Sequence, residues 1–425
     1  MLHETMLNDA RAIFDASLKA VHAHELIRRA VAIDRSILTV GQRSYDLDSF
    51  ERVIVIGAGK ASAAMAEAIE DLFGEKITGG VVATKYGHTR PLNKIQVIEA
   101  GHPLPDESSL QAGDAIQRAA EMANKNDLVV LLLSGGASVL MASFKKYFTL
   151  EDSISLNKQL LSCGANIHEM NVIRKCISNI HGGKLAKSIY PATCLSLIIS
   201  DVIGNRLADI GSGPAYPNDS SADEVYTILR KYKLDQWLPR IESEDVDSEF
   251  FKNVDNMIIG DNDKALSGCE ATAHSLGYEC RRAREMFAGE AREVTVKFIN
   301  EALALKSRIT KPLCYIGGGE TTVTLSGHGK GGRNQEAVLS GMMTLKDARP
   351  YLFFCAGTDG TDGPTDAAGA WVSDKIYQKA IEKNMNGLEY LNNHDSYNFF
   401  EKTRTHIRTG PTMTNVMDVM MLILP

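Results

Sequence analysis

The sequence contains no Cys-x-x-Cys pair: its seven cysteines (Cys163, Cys176, Cys194, Cys269, Cys280, Cys314 and Cys355) are scattered and odd in number. This excludes a disulfide framework, and they read as reduced core residues. The start of the chain lacks the roughly 7–15-residue apolar stretch of an export signal, so no export is expected. Nor is there an apolar run near the about 20 residues that span a bilayer; the most apolar segment, Val416 to Leu424, is interrupted by Asp418 and reads as a buried closing element. Positive charge is not in excess, with a net charge of −7 and a pI near 5.9, and no basic run interleaves with aromatics. Nucleic acid and membrane are therefore excluded as partners, and a cytoplasmic setting is expected. Hydrolase signatures are missing too. There is no His-Glu-x-x-His, and Ser134 follows Leu132-Leu133, not the glycine of a Gly-x-Ser-x-Gly elbow. The adjacent pairs His168-Glu169 and His394-Asp395 are expected to diverge.

What the sequence does have is ordinary globular composition, 44% hydrophobic and 23% charged, in 425 residues, a length that favours two domains. Met6, Ala10, Ile13, Phe14, Leu18 and Val21 recur at helical spacing. The period then changes. Arg52 to Ile56 is a β-branched run that ends in Gly57-Ala-Gly59-Lys60 and opens an Ala-rich helix, Ala61 to Leu72. Further strands are predicted at Gly80–Thr84, Asp127–Leu133 and Cys194–Ser200, with a helix at Ser108–Ala123. Buried strands alternating with helices specify a parallel sheet covered on both faces, hence a doubly wound N-terminal domain over residues 1–245. The acidic segment Glu242 to Glu249 marks the boundary. A second α/β domain, 246–425, is expected from strands at Met257–Gly260, Leu313–Ile316 and Tyr351–Ala356 and helices at Lys264–Leu276 and Glu290–Leu305.

Three predicted strands end in small-residue turns: Gly57-Ala-Gly59-Lys60-Ala-Ser62, Ser134-Gly135-Gly136-Ala137-Ser138 and Gly317-Gly318-Gly319-Glu320-Thr321. Glycine lets backbone approach phosphate, and a following helix N-terminus offers N–H donors, although tight turns also need glycine for geometry alone. The first turn is not a P-loop, because Ile54 and Ala61 stand where Gly and Ser or Thr are required. It is also an incomplete dinucleotide fingerprint, with Ser62 in place of the third glycine and Val81-Val-Ala-Thr84-Lys85 where the ribose-binding acid belongs. What remains is Lys60 at the mouth of a glycine turn, where an ammonium meets an anion. Acids and bases gather in the other loops: Asp201 after a strand, Arg333 at a helix start, and Asp359, Asp362 and Asp366 after a strand. The last three lack the spacing of an EF-hand. Mg²⁺ needs only one or two carboxylates besides substrate phosphates, so Asp201, Glu320 and Asp359 are its candidate ligands, while each aspartate equally suits a cap.

Taken in order, Gly57-Ala-Gly-Lys60-Ala-Ser62, Leu133-Ser-Gly-Gly-Ala-Ser138, Gly164-Ala-Asn-Ile-His-Glu169-Met-Asn171-Val-Ile-Arg174-Lys175, Ser200-Asp201-Val202, Gly211-Ser-Gly-Pro214, Gly318-Gly-Glu320-Thr-Thr-Val323, Gly331-Gly-Arg333-Asn-Gln-Glu336, Gly357 to Gly369 and Thr409-Gly-Pro-Thr-Met-Thr-Asn415 resemble the glycerate 2-kinases, whose C-terminal lobe is the MOFRL domain and which are often labelled hydroxypyruvate reductases. The resemblance runs from about Phe14 to Leu424. It implies an active site in the cleft between the lobes, with Lys60 and Arg333 as the catalytic pair. It also implies ATP- and Mg²⁺-dependent phosphorylation of D-glycerate at the 2-hydroxyl, giving 2-phosphoglycerate; a homo-oligomer is compatible with it.

On this basis Lys60 and Arg333 are expected to stabilise the transferred phosphoryl group or hold the substrate carboxylate. Asp201 is the expected general base, with Asp359 in reserve. Gly57, Gly59, Ser134, Gly135, Gly136, Ser138, Gly318, Glu320 and Thr321 are expected around the nucleotide, and Asn171, Arg174 and Asp359 around the hydroxy acid, Arg174 as a carboxylate clamp. One departure concerns the family's Ser-Asp-Val-Pro-Gly-Asp-Asp, replaced here by Asp201-Val-Ile203-Gly204-Asn205-Arg206-Leu207. Two acids are lost and an arginine gained, so a shifted acceptor range is expected. The rivals are an NAD(P)-dependent hydroxypyruvate reductase and a non-catalytic sugar-acid binding protein.

Overall fold

The computed structural model describes residues 2–241, 244, 246–348 and 350–425. The acidic segment read as the boundary therefore lies partly outside the described residues. The chain forms two compact units, one of residues 23–260 and one of residues 1–22 together with 261–425.

The first unit opens with a small antiparallel sheet, β1 (Val31–Asp34), β2 (Ile37–Val40) and β3 (Arg43–Asp46). Its body is a parallel sheet of β4 (Arg52–Ala58), β5 (Ile77–Lys85), β6 (Ile95–Ala100), β7 (Asp127–Leu133), β8 (Thr193–Ile199) and β9 (Val254–Gly260), in the order β6-β5-β4-β7-β8-β9. Every residue of β7 is buried, which explains its unbroken apolar run: crossover helices cover both faces, so no position is left to alternate towards water. Starting from β4, the chain first builds outward to β6 and then returns to place β7 on the other side. The direction of winding thus reverses between β4 and β7, and their carboxyl ends flank the crevice where doubly wound sheets bind ligands.

The second unit is built on a mixed sheet of β10 (Glu279–Arg282), β11 (Phe287–Glu290), β12 (Leu313–Thr322), β13 (Leu352–Gly357), β14 (Gly369–Ser373), β15 (His406–Ile407) and β16 (Asp418–Leu424). β16, the apolar closing segment, lies between β12 and β13 and runs antiparallel to both. Helices Ala291–Lys306 and Arg333–Thr344 pack on one face around Phe298, Tyr315 and Phe353. On the other face lie helices Leu2–Ala20 and Asn262–Ser275, with Met6, Ile13 and Phe14 against Phe354 and Met421. They approach closely because Gly268 lacks a side chain: a Cβ there would sit 2.6 Å from the Ala16 carbonyl oxygen.

The units therefore divide the chain differently from the expected contiguous domains of 1–245 and 246–425. The first helix completes the second unit, and β9 completes the parallel sheet, so that the second unit resumes only at Asp261. No helix among the described residues is long and apolar enough to cross a membrane.

Candidate active site

In the first unit the two glycine turns at the reversal point are one structure. The Lys60 N–H donates to the Gly135 carbonyl at 2.9 Å, the Ala61 N–H to the Ser134 hydroxyl at 3.0 Å, and the Ser134 N–H to the Ala58 carbonyl at 3.1 Å. Ser62 closes the turn by donating to the carbonyls of Gly59 and Ala83 at 2.8 and 2.5 Å. The glycines are explained by this proximity: a Cβ on Gly57 would lie 2.1 Å from the Leu132 carbonyl oxygen, and one on Gly59 would lie 2.0 Å from the Ser134 hydroxyl. Packing against the neighbouring strand, not approach to a phosphate, thus requires glycine at both positions. Gly136 takes a left-handed φ of +85° and leads into the short helix Ala137–Leu140, which carries Ser138. The helix Ser62–Phe73 starts beside Lys60. Its N-cap is Ala61, which has no side-chain oxygen to cap it; the Ala61 N–H goes to Ser134 and the Ser62 N–H to the Gly59 carbonyl at 3.1 Å, so neutral groups alone meet the dipole's positive end there.

In the second unit Arg333 stands at the start of its helix and is held by two carboxylates. Its Nε and Nη2 donate to Asp418 at 2.6 and 3.0 Å, and its Nη1 lies 2.6 Å from Glu320. Burial would lower its pKa, but Asp418, then Glu320 and Asp362, raise it net. Asp418 is fully buried and in register with both Gly319 and Gly357, so it sits where the ends of β12 and β13 meet the start of β16. Of the five N–H groups of Arg333 these bonds use three, and its side chain remains about one-third exposed. Gly318 and Gly319 are again explained locally, because Cβ atoms there would strike Asn262 and the Phe287 carbonyl. Thr321 is buried in β12.

The start of helix Arg333–Thr344 is filled by a carboxylate. Asp362 accepts from the backbone N–H groups of Asn334 and Gln335 at 3.0 and 2.8 Å and from both their side-chain amides, at 3.3 and 3.0 Å. Burial pushes the Asp362 pKa up to about 6, although these hydrogen bonds lower it. Asp359, also buried, accepts from the Thr361 N–H and hydroxyl at 2.9 and 3.0 Å, the turn-capping role the sequence allowed. Of the three carboxylates read as Mg²⁺ ligands, Asp201 belongs to the first unit; in the second, Glu320 is paired with Arg333 and Asp359 caps a turn. Among the described residues no group of three His, Cys, Asp or Glu side chains could hold a metal. These residues fit a cation that arrives on phosphates and takes one or two protein oxygens, and do not fit a dedicated site.

Asn171 and Arg174 lie on the helix Ile167–Ile177, three residues apart and so on one face. Asn171 is buried; Arg174 donates to Asn157 at 3.1 Å, and burial lowers its pKa. The family-departing loop is exposed at Ile203, Gly204 and Arg206, and Arg206 is bound to Asp209 and Asp219 at 3.2 and 2.9 Å. The expected rise in local charge is thereby largely offset by two neighbouring acids. The adjacent histidine pairs do diverge: His168 reaches Glu224, and His394 reaches Glu336 and Ser326.

Two residues of the site escaped the sequence reading. In the sequence Asp362 stands as one of three loop acids, and Asp418 as a break in an apolar run. A lone carboxylate inside a fully buried strand was the available signal, because such a charge demands a partner.

The family model described as "Domain of unknown function (DUF4147)" matches residues 9–243, and the MOFRL family model matches residues 313–418. A D-glycerate 2-kinase of Thermotoga maritima is 37% identical over 87% of this chain and 90% of its own, and a glycerate kinase of Rattus norvegicus is 34% identical over 98% and 93%. A putative hydroxypyruvate reductase of Agrobacterium vitis is 37% identical over 88% and 99%. The crystal structure of glycerate kinase from Thermotoga maritima superposes with a TM-score of 0.84 at 34% identity, covering 99% of this chain and all of that one. By sequence and by fold this chain therefore belongs to the glycerate 2-kinase family of small-molecule kinases.

Proposed function

We propose that the chain transfers the γ-phosphoryl group of ATP to the 2-hydroxyl of D-glycerate, giving 2-phosphoglycerate. The observation that carries this reading is the uncapped N-terminus of helix Ser62–Phe73, with Lys60 beside it, at the crevice of a doubly wound sheet. Phosphoryl transfer asks the protein for alignment and for neutralisation of charge, and a dipole end with an adjacent ammonium supplies both. Lys60 stabilises the transferred group. Arg333, with two N–H groups left by its carboxylate partners, contributes a second cationic contact, oriented by Asp418. Asp201 accepts the proton of the attacking hydroxyl, with Asp359 in reserve; Mg²⁺ bound with ATP would be held by one or two of Asp201, Glu320 and Asp359 and would neutralise phosphate charge. A reaction that consumes ATP suits a cytoplasmic setting.

The rival reductase has two observations in its favour, the sheet order, which dinucleotide-binding folds share, and the similarity to a putative hydroxypyruvate reductase. Against it stand Ser62 in place of the third glycine and Lys85 at the end of β5, where an acid would hold the ribose. Nucleotide dependence separates the readings. ATP consumption that requires D-glycerate and Mg²⁺ supports the kinase; NADH oxidation with hydroxypyruvate, or ligand binding without turnover of either nucleotide, overturns it.

A further inference from the structure

The first unit holds a second concentration of positive charge, in the segments that follow β7. Lys145, Lys175 and Lys184 are all buried, at 9%, 2% and 7% exposure, and Arg174 is half-buried. Lys184 is anchored by donating to the carbonyls of Lys175 and His181 at 2.7 and 3.1 Å, neutral acceptors, with Glu244 the one acid that favours its charge. Lys175 lies 3.1 Å from Asp219, and Lys145 lies 3.9 Å from Glu244, but neither acid is reserved for its partner. Asp219 also binds Arg206 at 2.9 Å, and Glu244 also binds Lys187 at 2.6 Å. Into this group is set His181, 4% exposed, whose Nε2 has no hydrogen-bond partner among the described residues. Burial, then Lys184, Arg174 and Lys175, lower its pKa to about 3. Burial likewise lowers Lys184 to about 8.

Buried like charges with a spare N–H are expensive to maintain unless something negative completes them. A neutral imidazole with its proton on Nε2 offers a donor and lacks an acceptor, while the surrounding ammonium and guanidinium groups outnumber the two acids, Asp219 and Glu244, that they share with Arg206 and Lys187. One small oxyanion satisfies both. We propose that Arg174, Lys184 and His181 form an oxyanion subsite, which takes a carboxylate or phosphate group of the enzyme's own ligands through the Arg174 fork and His181 Nε2. The proposal rests on the kinase reading only for the identity of those ligands. Lys175 and Lys145 supply field, not contacts. Arg206, on the departing loop, shares Asp219 with Lys175 and so tunes the charge the anion meets.

The test uses the full chain labelled with ¹⁵N-histidine, with the His181 signal assigned through His181→Gln. Inorganic phosphate, D-glycerate and ATP are titrated separately, and turnover of ATP with D-glycerate is measured on the same preparation. The expected result is a saturable shift of the His181 Nε2 resonance, with binding weakened about tenfold or more by Arg174→Gln and retained in Lys60→Ala. A response to D-glycerate identifies the group as carboxylate, and a response to phosphate and ATP alone identifies it as phosphate. Should Arg174→Gln not fold, Arg174→Lys serves, since loss of the planar fork still weakens binding. A native enzyme that turns over while His181 stays unmoved by all three probes overturns the subsite and leaves the kinase reading intact. A saturable His181 response without turnover overturns the kinase reading and leaves the subsite.

Discussion

Two helices of this molecule follow glycine-rich turns, and they meet anions in opposite ways. The helix Ser62–Phe73 begins at Ala61, which cannot cap it, with Lys60 alongside. The helix Arg333–Thr344 begins at Gly332, and its first N–H groups are already occupied by the Asp362 carboxylate. A glycine-rich turn before a helix is therefore not in itself a phosphate site. Its function depends on whether the protein supplies the negative charge itself or leaves that to a ligand. At the first start the neighbouring turns supply neutral oxygens, those of Ser134 and Gly59; at the second Asp362 supplies a carboxylate, and the adjacent Arg333 is held by Asp418 and Glu320 and presents its remaining donors.

The sharpest way to break this contrast is at the open end. Lys60→Ala is expected to lower turnover by roughly a thousandfold or more, since a cation facing the transferred phosphoryl is worth several kcal/mol, with little change in the thermal midpoint because Lys60 is only partly buried. Steady-state kinetics beside a melting curve check this, and near-normal activity in a folded variant removes Lys60 from the mechanism.

At the filled end the same logic predicts a mixed loss. Arg333→Lys retains charge but cannot span both oxygens of Asp418 and reach Glu320, so activity is expected to fall about a hundredfold. Because Asp418 is fully buried, stability is also expected to drop, by about 1–3 kcal/mol. Denaturant titration together with kcat/KM reads both, and a variant that restores most of the rate refutes the fork.

Asp362→Asn isolates the plug. One amide oxygen replaces two carboxylate oxygens facing four N–H donors, so stability at pH 7 is expected to fall by about 1–3 kcal/mol. The pH dependence carries a sign of its own. With the folded pKa raised to about 6 from the ordinary 3.8, the folded state binds the proton more tightly. Asp362 thus contributes stability that is fully present below about pH 3.8 and is lost as the pH rises through about 6. The variant should lack this slope between those limits, and identical pH–stability curves for the two proteins would show that Asp362 is not protonated there.

The smallest expected effect is at the departing loop. Arg206→Ala leaves an exposed site and frees Asp219 for Lys175, so preference among hydroxy acids, read as a ratio of kcat/KM values, should change by less than about threefold. A larger change would place the loop in substrate choice.

How much of this was legible in the sequence follows from the range of each interaction. Unbroken apolar runs such as Asp127–Leu133 can only be buried strands once helices alternate with them, so the parallel sheet was readable. The small-residue turns were readable because they interrupt those runs. The strands Val31–Asp34, Ile37–Val40 and Arg43–Asp46 were not, being four residues each with mixed burial, too short for a period to emerge. The bond between Arg333 and Asp418 spans 85 residues, and the attachment of the first helix to the second unit spans most of the chain; neither leaves a local pattern. The open and the filled helix start look alike in sequence because the filling residue, Asp362, comes from a loop 27 positions beyond Gln335.

The most direct measurement is phosphorus NMR of the product after incubation with ATP, Mg²⁺ and D-glycerate, for the native chain and for Lys60→Ala. The account predicts a 2-phosphoglycerate signal with the native protein and almost none with the variant; a 3-phosphoglycerate signal, no new phosphate ester, or equal product from the two proteins would contradict it.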